Sequence, residues 1–170
     1  MIRNKAALFI SFAGLVLTVL LLILYFASPS VPKAPKQPIP FSHNVHSGIK
    51  RIQCQYCHPY AAYSDFPGIP PVEKCLHCHN YIIADHPWIK KEHMYFETNS
   101  STPWKKVNYL PEHVFFNHQR HINSKISCRE CHGRVQDKHR LQKKNWRMGE
   151  CLNCHKKMDA TIGCWLACHT

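Results

Sequence analysis

Ten cysteines fall into five close pairs, Cys54/Cys57, Cys75/Cys78, Cys128/Cys131, Cys151/Cys154 and Cys164/Cys168, and a histidine follows the second member of each. The motifs read CQYCH, CLHCH, CRECH, CLNCH and CWLACH. With only 14 histidines in 170 residues, five such placements are not coincidence. Two thiols three positions apart can each add to a vinyl group of a porphyrin, and the adjacent imidazole then swings beneath the ring to the iron, which is c-type haem attachment. The ten cysteines are therefore the expected thioether sites of five covalently bound haem c groups. His58, His79, His132, His155 and His169 are the expected proximal ligands. Paired CxxC thiolates also bind zinc, form disulfides or serve dithiol redox chemistry. None of those needs a histidine after every pair. The extra residue in CWLACH widens the loop between its thiols and leaves the geometry of that last haem open.

An iron held from one side needs a second ligand. FSHNVH at 41–46 matches FNHQRH at 116–121 as FxHxxH, and each precedes an Ile-x-Cys that opens a CxxCH, with a second CxxCH 21 or 23 residues on. The offsets are 75 for His43/His118 and His46/His121, 74 for Cys54/Cys128 and 76 for Cys75/Cys151. This is a duplicated two-haem unit, 41–79 and 116–155, with an extra haem at 164–169. Residues three apart on a helical turn lie on neighbouring faces, so His43, His46, His118 and His121 are the expected distal ligands, one short element serving two irons. Spacing does not say which histidine serves which haem. The fifth distal ligand is left among Met148, His113, His139, His86 and His93; a thioether from Met148 would raise that haem's potential relative to two imidazoles. His77, inside CLHCH, reads as a hydrogen-bond partner.

With all irons six-coordinate, no open position remains for a small substrate, which favours electron transfer over catalysis at haem. No catalytic residue is assigned. The formal charge of +12 fits this reading, because ten propionates would bring it to about +2 with ferrous and about +7 with ferric irons. A nucleic-acid surface is not required to explain the basic residues. Lys143, Lys144, Lys156 and Lys157 read as a solvated face or a dock for an acidic partner. Phe41, Tyr56, Phe115, Phe116, Trp146 and Trp165, which flank the motifs, read as groups that pack against rings.

Three stretches must position this chemistry. Residues 6–27 carry no charge, Asn, Pro or His, and as a helix would span about 33 Å, enough for a bilayer core. Residues 1–27 are the expected transmembrane anchor. Positive charges before it place the N-terminus in the cytoplasm and the haem domain outside, where thioether attachment occurs. Residues 28–40 hold five prolines and read as an extended spacer. Residues 41–170 must house five haems in 130 positions. That is too little chain for an ordinary core and too little for a multidomain enzyme. The expected fold is mostly irregular, with short α-helices around a haem core.

A membrane helix, FxHxxH, CxxCH, GIPPxExCLxCH at 68–79, LPEHVFFNHQRH at 110–121, CxxCHG at 128–133 and MGECLNCH at 148–155 together resemble the membrane-anchored pentahaem cytochrome c subunit of alternative complex III. The haem units are similar to class III multihaem cytochromes. The resemblance covers nearly the whole chain. It implies a respiratory subunit that relays electrons from quinol, oxidised in a polytopic partner, towards a monohaem cytochrome c or another soluble acceptor, beside an iron-sulfur subunit. It also implies axial roles for His43, His46, His118, His121 and Met148. The alternative is a membrane-anchored multihaem quinol dehydrogenase feeding a periplasmic nitrate or nitrite reductase. The CxxCHxM signature of that class is absent, since Tyr60, Tyr81, Arg134 and Lys157 occupy the matching positions.

Overall fold

A computed structural model of the chain describes residues 2–27 and 34–169. Positions 28–33 of the expected spacer lie outside the described residues. The chain divides into two units, Met1–Pro32 and Lys33–Thr170.

The first unit is a single helix, α1 (Ile2–Ala27). Its run of Leu, Ile, Val, Phe and Ala leaves no polar stripe, the pattern of a helix with apolar surroundings on all sides. Ala7–Ala27 has a mean hydropathy of 2.8, so by length and composition it can cross a membrane. Its Thr18 hydroxyl donates to the Gly14 carbonyl at 2.9 Å, which satisfies that polar group within the helix.

The second unit is built from short pieces: a π-helical turn (Asn44–Ile49), α2 (Cys54–Cys57), a 3₁₀ turn (Pro59–Ala62), α3 (Val72–His79), α4 (Pro87–Glu97), α5 (His118–Asn123), α6 (Cys128–His132), a 3₁₀ turn (Val135–Asp137), α7 (Met148–Lys157) and a second π turn (Cys164–Cys168). A two-residue parallel pair, β1 (Asn108–Tyr109) with β2 (Lys144–Asn145), ties the centre of the sequence to the approach to α7. Sequence patterning gave no sign of these strands, which are too short to show an alternation.

Apolar burial is slight. Ile39, Ala61, Val72, Leu76 and Ile89 are the buried hydrophobic residues among those described. α3, which buries Val72 and Leu76, packs on α4, which buries Ile89 and Glu92, and the buried Thr102 hydroxyl donates to Glu92 Oε2 at 2.8 Å. Five buried apolar side chains are far fewer than a domain of this length needs, because burial is the main term that offsets chain entropy. Cofactor surface has to supply the rest. Residues 34–40 of the expected spacer lie against this unit. Gln37 exchanges hydrogen bonds with the main chain of Lys105 at 2.8 and 2.9 Å, Lys91 reaches the Pro38 carbonyl, and Ile39 is buried.

The duplication is visible in the main chain. Ser42 and Asn117 begin the two FxHxxH turns and accept from Val45 N and Arg120 N through their side chains. Arg51 and Lys125, three residues before Cys54 and Cys128, both adopt positive φ, 56° and 61°. Ile52 N bonds His46 O as Ile126 N bonds His121 O. The first copy has one more residue between its second histidine and its first cysteine, eight steps against seven. A π turn absorbs the difference: Lys50 N reaches Val45 O, five residues back, where Ser124 N reaches Arg120 O, four back. Single-residue insertions in helices commonly take this form at functional sites.

Candidate haem-binding site

Seven of the nine expected histidine ligands have Nδ1 against a main-chain carbonyl. His46 meets Ser42, His58 meets Gly68, His79 meets Ile82, His118 meets Asp65, His121 meets Asn117, His155 meets Thr161 and His169 meets His113, at 2.5 to 3.2 Å. A carbonyl only accepts, so Nδ1 carries a proton, and in the neutral ring the lone pair is then on Nε2. This is the arrangement that orients metal-binding imidazoles and raises their basicity. Gly68 earns its place here: at φ 70° it turns its carbonyl to His58, in a conformation that disfavours side chains.

The imidazoles face one another in pairs. Ring centroids of His46 and His79 are 6.1 Å apart, His118 and His132 6.4 Å, His121 and His155 6.1 Å, and His113 and His169 5.3 Å with planes stacked at 17°. A metal–imidazole bond is about 2.0–2.1 Å, so two opposed rings sharing one metal have centroids about 6 Å apart. His43 has His58 as its neighbour: burial pushes its pKa down to about 4, with the positive charges that His58 and His46 would carry adding to the effect. Burial likewise lowers His132, helped by His118, Lys144 and His58. Both shifts favour the neutral ring, the form a metal ligand must take.

Phe41 and Phe116 hold the distal pairs. Each stacks on the second histidine of its turn at 4.4 Å and meets the first edge-on, at 4.9 Å for His43 and 4.8 Å for His118. Trp146 stands edge-on to His132 at 5.9 Å, with Lys144 Nζ 3.4 Å above its ring, and Lys143 lies over Tyr109.

The two copies exchange support. Gln119 N donates to Ser64 O, and His118 takes Asp65 O; at the equivalent place in the other copy Asn44 N donates to Lys138 O, and Asn44 Nδ2 donates to Gln136 O. Ser42 Oγ also contacts His139 Nδ1 at 2.9 Å. Each FxHxxH turn is therefore pinned by the loop that follows the first CxxCH of the other copy.

The thiols form a linked set. Burial raises Cys57, with Cys54 and Cys78 contributing; Cys75, pushed up to about 11 by burial, has Glu92 and Cys57 beside it. Cys128 is raised by burial and then by the neighbouring thiol of Cys54. Cys131 is raised by burial, with Cys154 and Cys151 adding, and Cys151 by burial, with Cys168 first among its neighbours. A cavity of about 490 Å³ between the first two motifs is lined by Ile52, Gln53, Tyr56 and Cys78.

In CWLACH the added residue is taken up as a π turn. His169 N bonds Cys164 O at 2.9 Å, just as His58 N bonds Cys54 O at 2.9 Å across the shorter motif. Phe115 N donates to Cys168 O, and Val114 bridges His169, so residues 113–115 clamp the last motif. Met148 opens α7 and is 65% exposed. His86 accepts from Trp88 N through Nδ1, which caps α4 and leaves the proton on Nε2, the opposite tautomer to the seven above. His139 is engaged by Ser42, and His77 is exposed. The supporting carbonyls of Asp65, Thr161 and Ile82 left no trace in the sequence, since any residue supplies a carbonyl. His113 has no counterpart in the repeat, because Pro38 occupies the matching position.

Short helices, paired CxxCH motifs, a small apolar interior and opposed imidazoles define a multihaem c-type cytochrome with covalently bound haem c. No protein-family model matches the chain. It is 32% identical over 123 residues to the multiheme cytochrome c subunit of menaquinone reductase from Nitratidesulfovibrio vulgaris, a match that covers 71% of this chain and 57% of the relative. The chain thus spans little more than half the length of that curated relative.

Proposed function

We propose that the protein is a pentahaem electron-transfer subunit of a membrane quinol:acceptor oxidoreductase of the alternative complex III type. The observation that carries this reading is the set of four opposed imidazole pairs, with His43 and His58 as close neighbours in a fifth, enough to supply two ligands for each of five irons. Haem c, when bound, supplies in each ring an iron that takes up or gives up one electron. The chain's residues do the rest. The ten motif cysteines fix the rings. His58/His43, His79/His46, His132/His118, His155/His121 and His169/His113 would hold the five irons in pairs, with His113, rather than Met148, supplying the fifth distal nitrogen. Main-chain carbonyls at Nδ1 leave Nε2 free in seven of these ten imidazoles, and Phe41 and Phe116 fix ring orientation.

With both axial positions filled, the protein offers no site for a small substrate, which is why relay is favoured over catalysis. α1 anchors the chain with its N-terminus cytoplasmic and its haem domain outside. The partners are a polytopic quinol-binding subunit, an iron-sulfur subunit and a monohaem cytochrome or soluble acceptor. The relative's name favours a second direction, in which electrons enter here and reduce menaquinone in a partner.

Purification of the tagged chain from membranes tests this, with identification of co-purifying subunits and assay of both menaquinol oxidation and menaquinone reduction. Recovery of polytopic and iron-sulfur subunits with quinol-oxidising activity supports the main reading, and quinone reduction alone supports the second. Recovery of a nitrate or nitrite reductase, or stoichiometric carbon monoxide binding to the ferrous chain, would overturn both.

A further inference from the structure

We infer that the five haem motifs stand in space as an unbranched row in the order second, first, third, fourth, fifth, so that CLHCH and CWLACH are its ends and CQYCH meets CRECH at its centre. This rests on the proposed haem and ligand assignments and goes beyond them, because the sequence order would place CQYCH at one end.

Four junctions carry the inference. The second and first motifs share one turn of distal ligands, His46 for one and His43 for the other, and Cys78 lines the cavity beside Gln53 and Tyr56 at the first motif. The first and third motifs meet because the copies exchange support: the 64–65 loop after His58 binds the turn that carries His118, and the 136–138 loop after His132 binds the turn that carries His43. Cys54 and Cys128 are neighbours across this junction, close enough for each thiol to bear on the other's charge. These residues are equivalent in the two copies, 74 positions apart, so the contact lies on the local two-fold relation between them. The third and fourth motifs share α5, through His118 and His121. The fourth and fifth join where Thr161, three residues before Cys164, holds His155. Phe115 N meets Cys168 O on the far side of the same turn.

One consequence is that any transfer between the two copies crosses between the first and third motifs. The outer motif of the first copy, CLHCH, is packed against α4, whose Lys91 bonds Pro38.

The test is electron paramagnetic resonance of the oxidised full-length holoprotein. Replacing one distal histidine by alanine makes that ferric haem five-coordinate and high-spin, a fast-relaxing centre that perturbs the low-spin signals of its direct neighbours. The inference predicts two perturbed signals in His43→Ala and one in His46→Ala. The reverse result, two for His46→Ala and one for His43→Ala, is what sequence order requires and would overturn it. Three perturbed signals in either variant would mean a branched array and would also overturn it. His43→Met and His46→Met, which keep six-coordination, provide the same comparison if an alanine variant does not accumulate: raising one haem's potential should shift two neighbouring midpoints in the first and one in the second. Haem count by intact mass separates the levels, since five haems with the wrong neighbours sinks only the order, while fewer than five sinks the ligand assignments as well.

Discussion

The main-chain oxygen of His113 lies 3.2 Å from Nδ1 of His169, and the two imidazoles stack with centroids 5.3 Å apart. One residue thus sets the tautomer of its partner with its backbone and faces it with its side chain. The same segment pairs with the last motif through Phe115 and Val114. His113→Ala should leave one of five haems five-coordinate, so that carbon monoxide binds about one-fifth of the ferrous haem. Met148→Ala should bind none. Carbon monoxide difference spectra of the two purified variants decide between them, and the opposite pattern would restore Met148 as the ligand.

The π turn at Cys164–Cys168 takes up the extra residue of CWLACH as a local bulge. Deleting Leu166, which is 92% exposed, should convert the turn to the shorter α-type closure and retain five haems. Cys164→Ser with Cys168→Ser should carry four. Intact mass under denaturing conditions reads both.

Gly48 sits where the first FxHxxH turn meets the other copy, and a methyl group there would collide with the Gln136 carbonyl. Backbone on both sides leaves little room to give. Gly48→Ala should cost about 1–3 kcal/mol and lower the thermal unfolding midpoint. At Gly149 nothing lies within 4 Å, and Gly149→Ala should be neutral or stabilising by up to about 1 kcal/mol.

Glu92 is 2% exposed and accepts from Thr102. Glu92→Ala should strand that buried hydroxyl at a cost of about 1–3 kcal/mol, whereas Glu92→Gln keeps an acceptor and should cost less. Burial raises the carboxyl above its usual range, opposed by Thr102, His79 and Lys91. The folded state therefore prefers the protonated form. Its contribution is present below the unfolded carboxylate pKa of about 4.3 and is lost as pH rises from there through the raised folded value. Unfolding midpoints measured across that window should fall with pH in the wild type and fall less in Glu92→Gln.

What the sequence disclosed was chemistry that depends on side-chain type. The thiol pairs, the histidines behind them and the FxHxxH repeat all rest on residues that nothing else replaces, and the repeat was exposed by its offsets. His113 could be named only as one of five candidates for the last distal position, because the role proposed for it depends on strand-like pairing between 113–115 and 168–169, a contact across more than fifty residues. The carbonyls of Asp65, Thr161 and Ile82 were invisible for a different reason, since backbone groups carry no compositional mark. The proline-rich stretch looked like a free spacer, and its second half lies against the domain because Gln37 and Ile39 find partners there that polyproline periodicity does not announce.

The exchange of loops between the two copies has the form of an isologous interface, in which one surface patch binds its own duplicate. A fragment ending before residue 110 would present its turn at 43–46 with no loop at 136–138 to hold it, and the complementary fragment would lack the loop at 64–65. Neither half is a self-sufficient folding unit. Two such peptides produced together in one compartment should recombine into a coloured complex, the way a symmetric dimer assembles from identical parts.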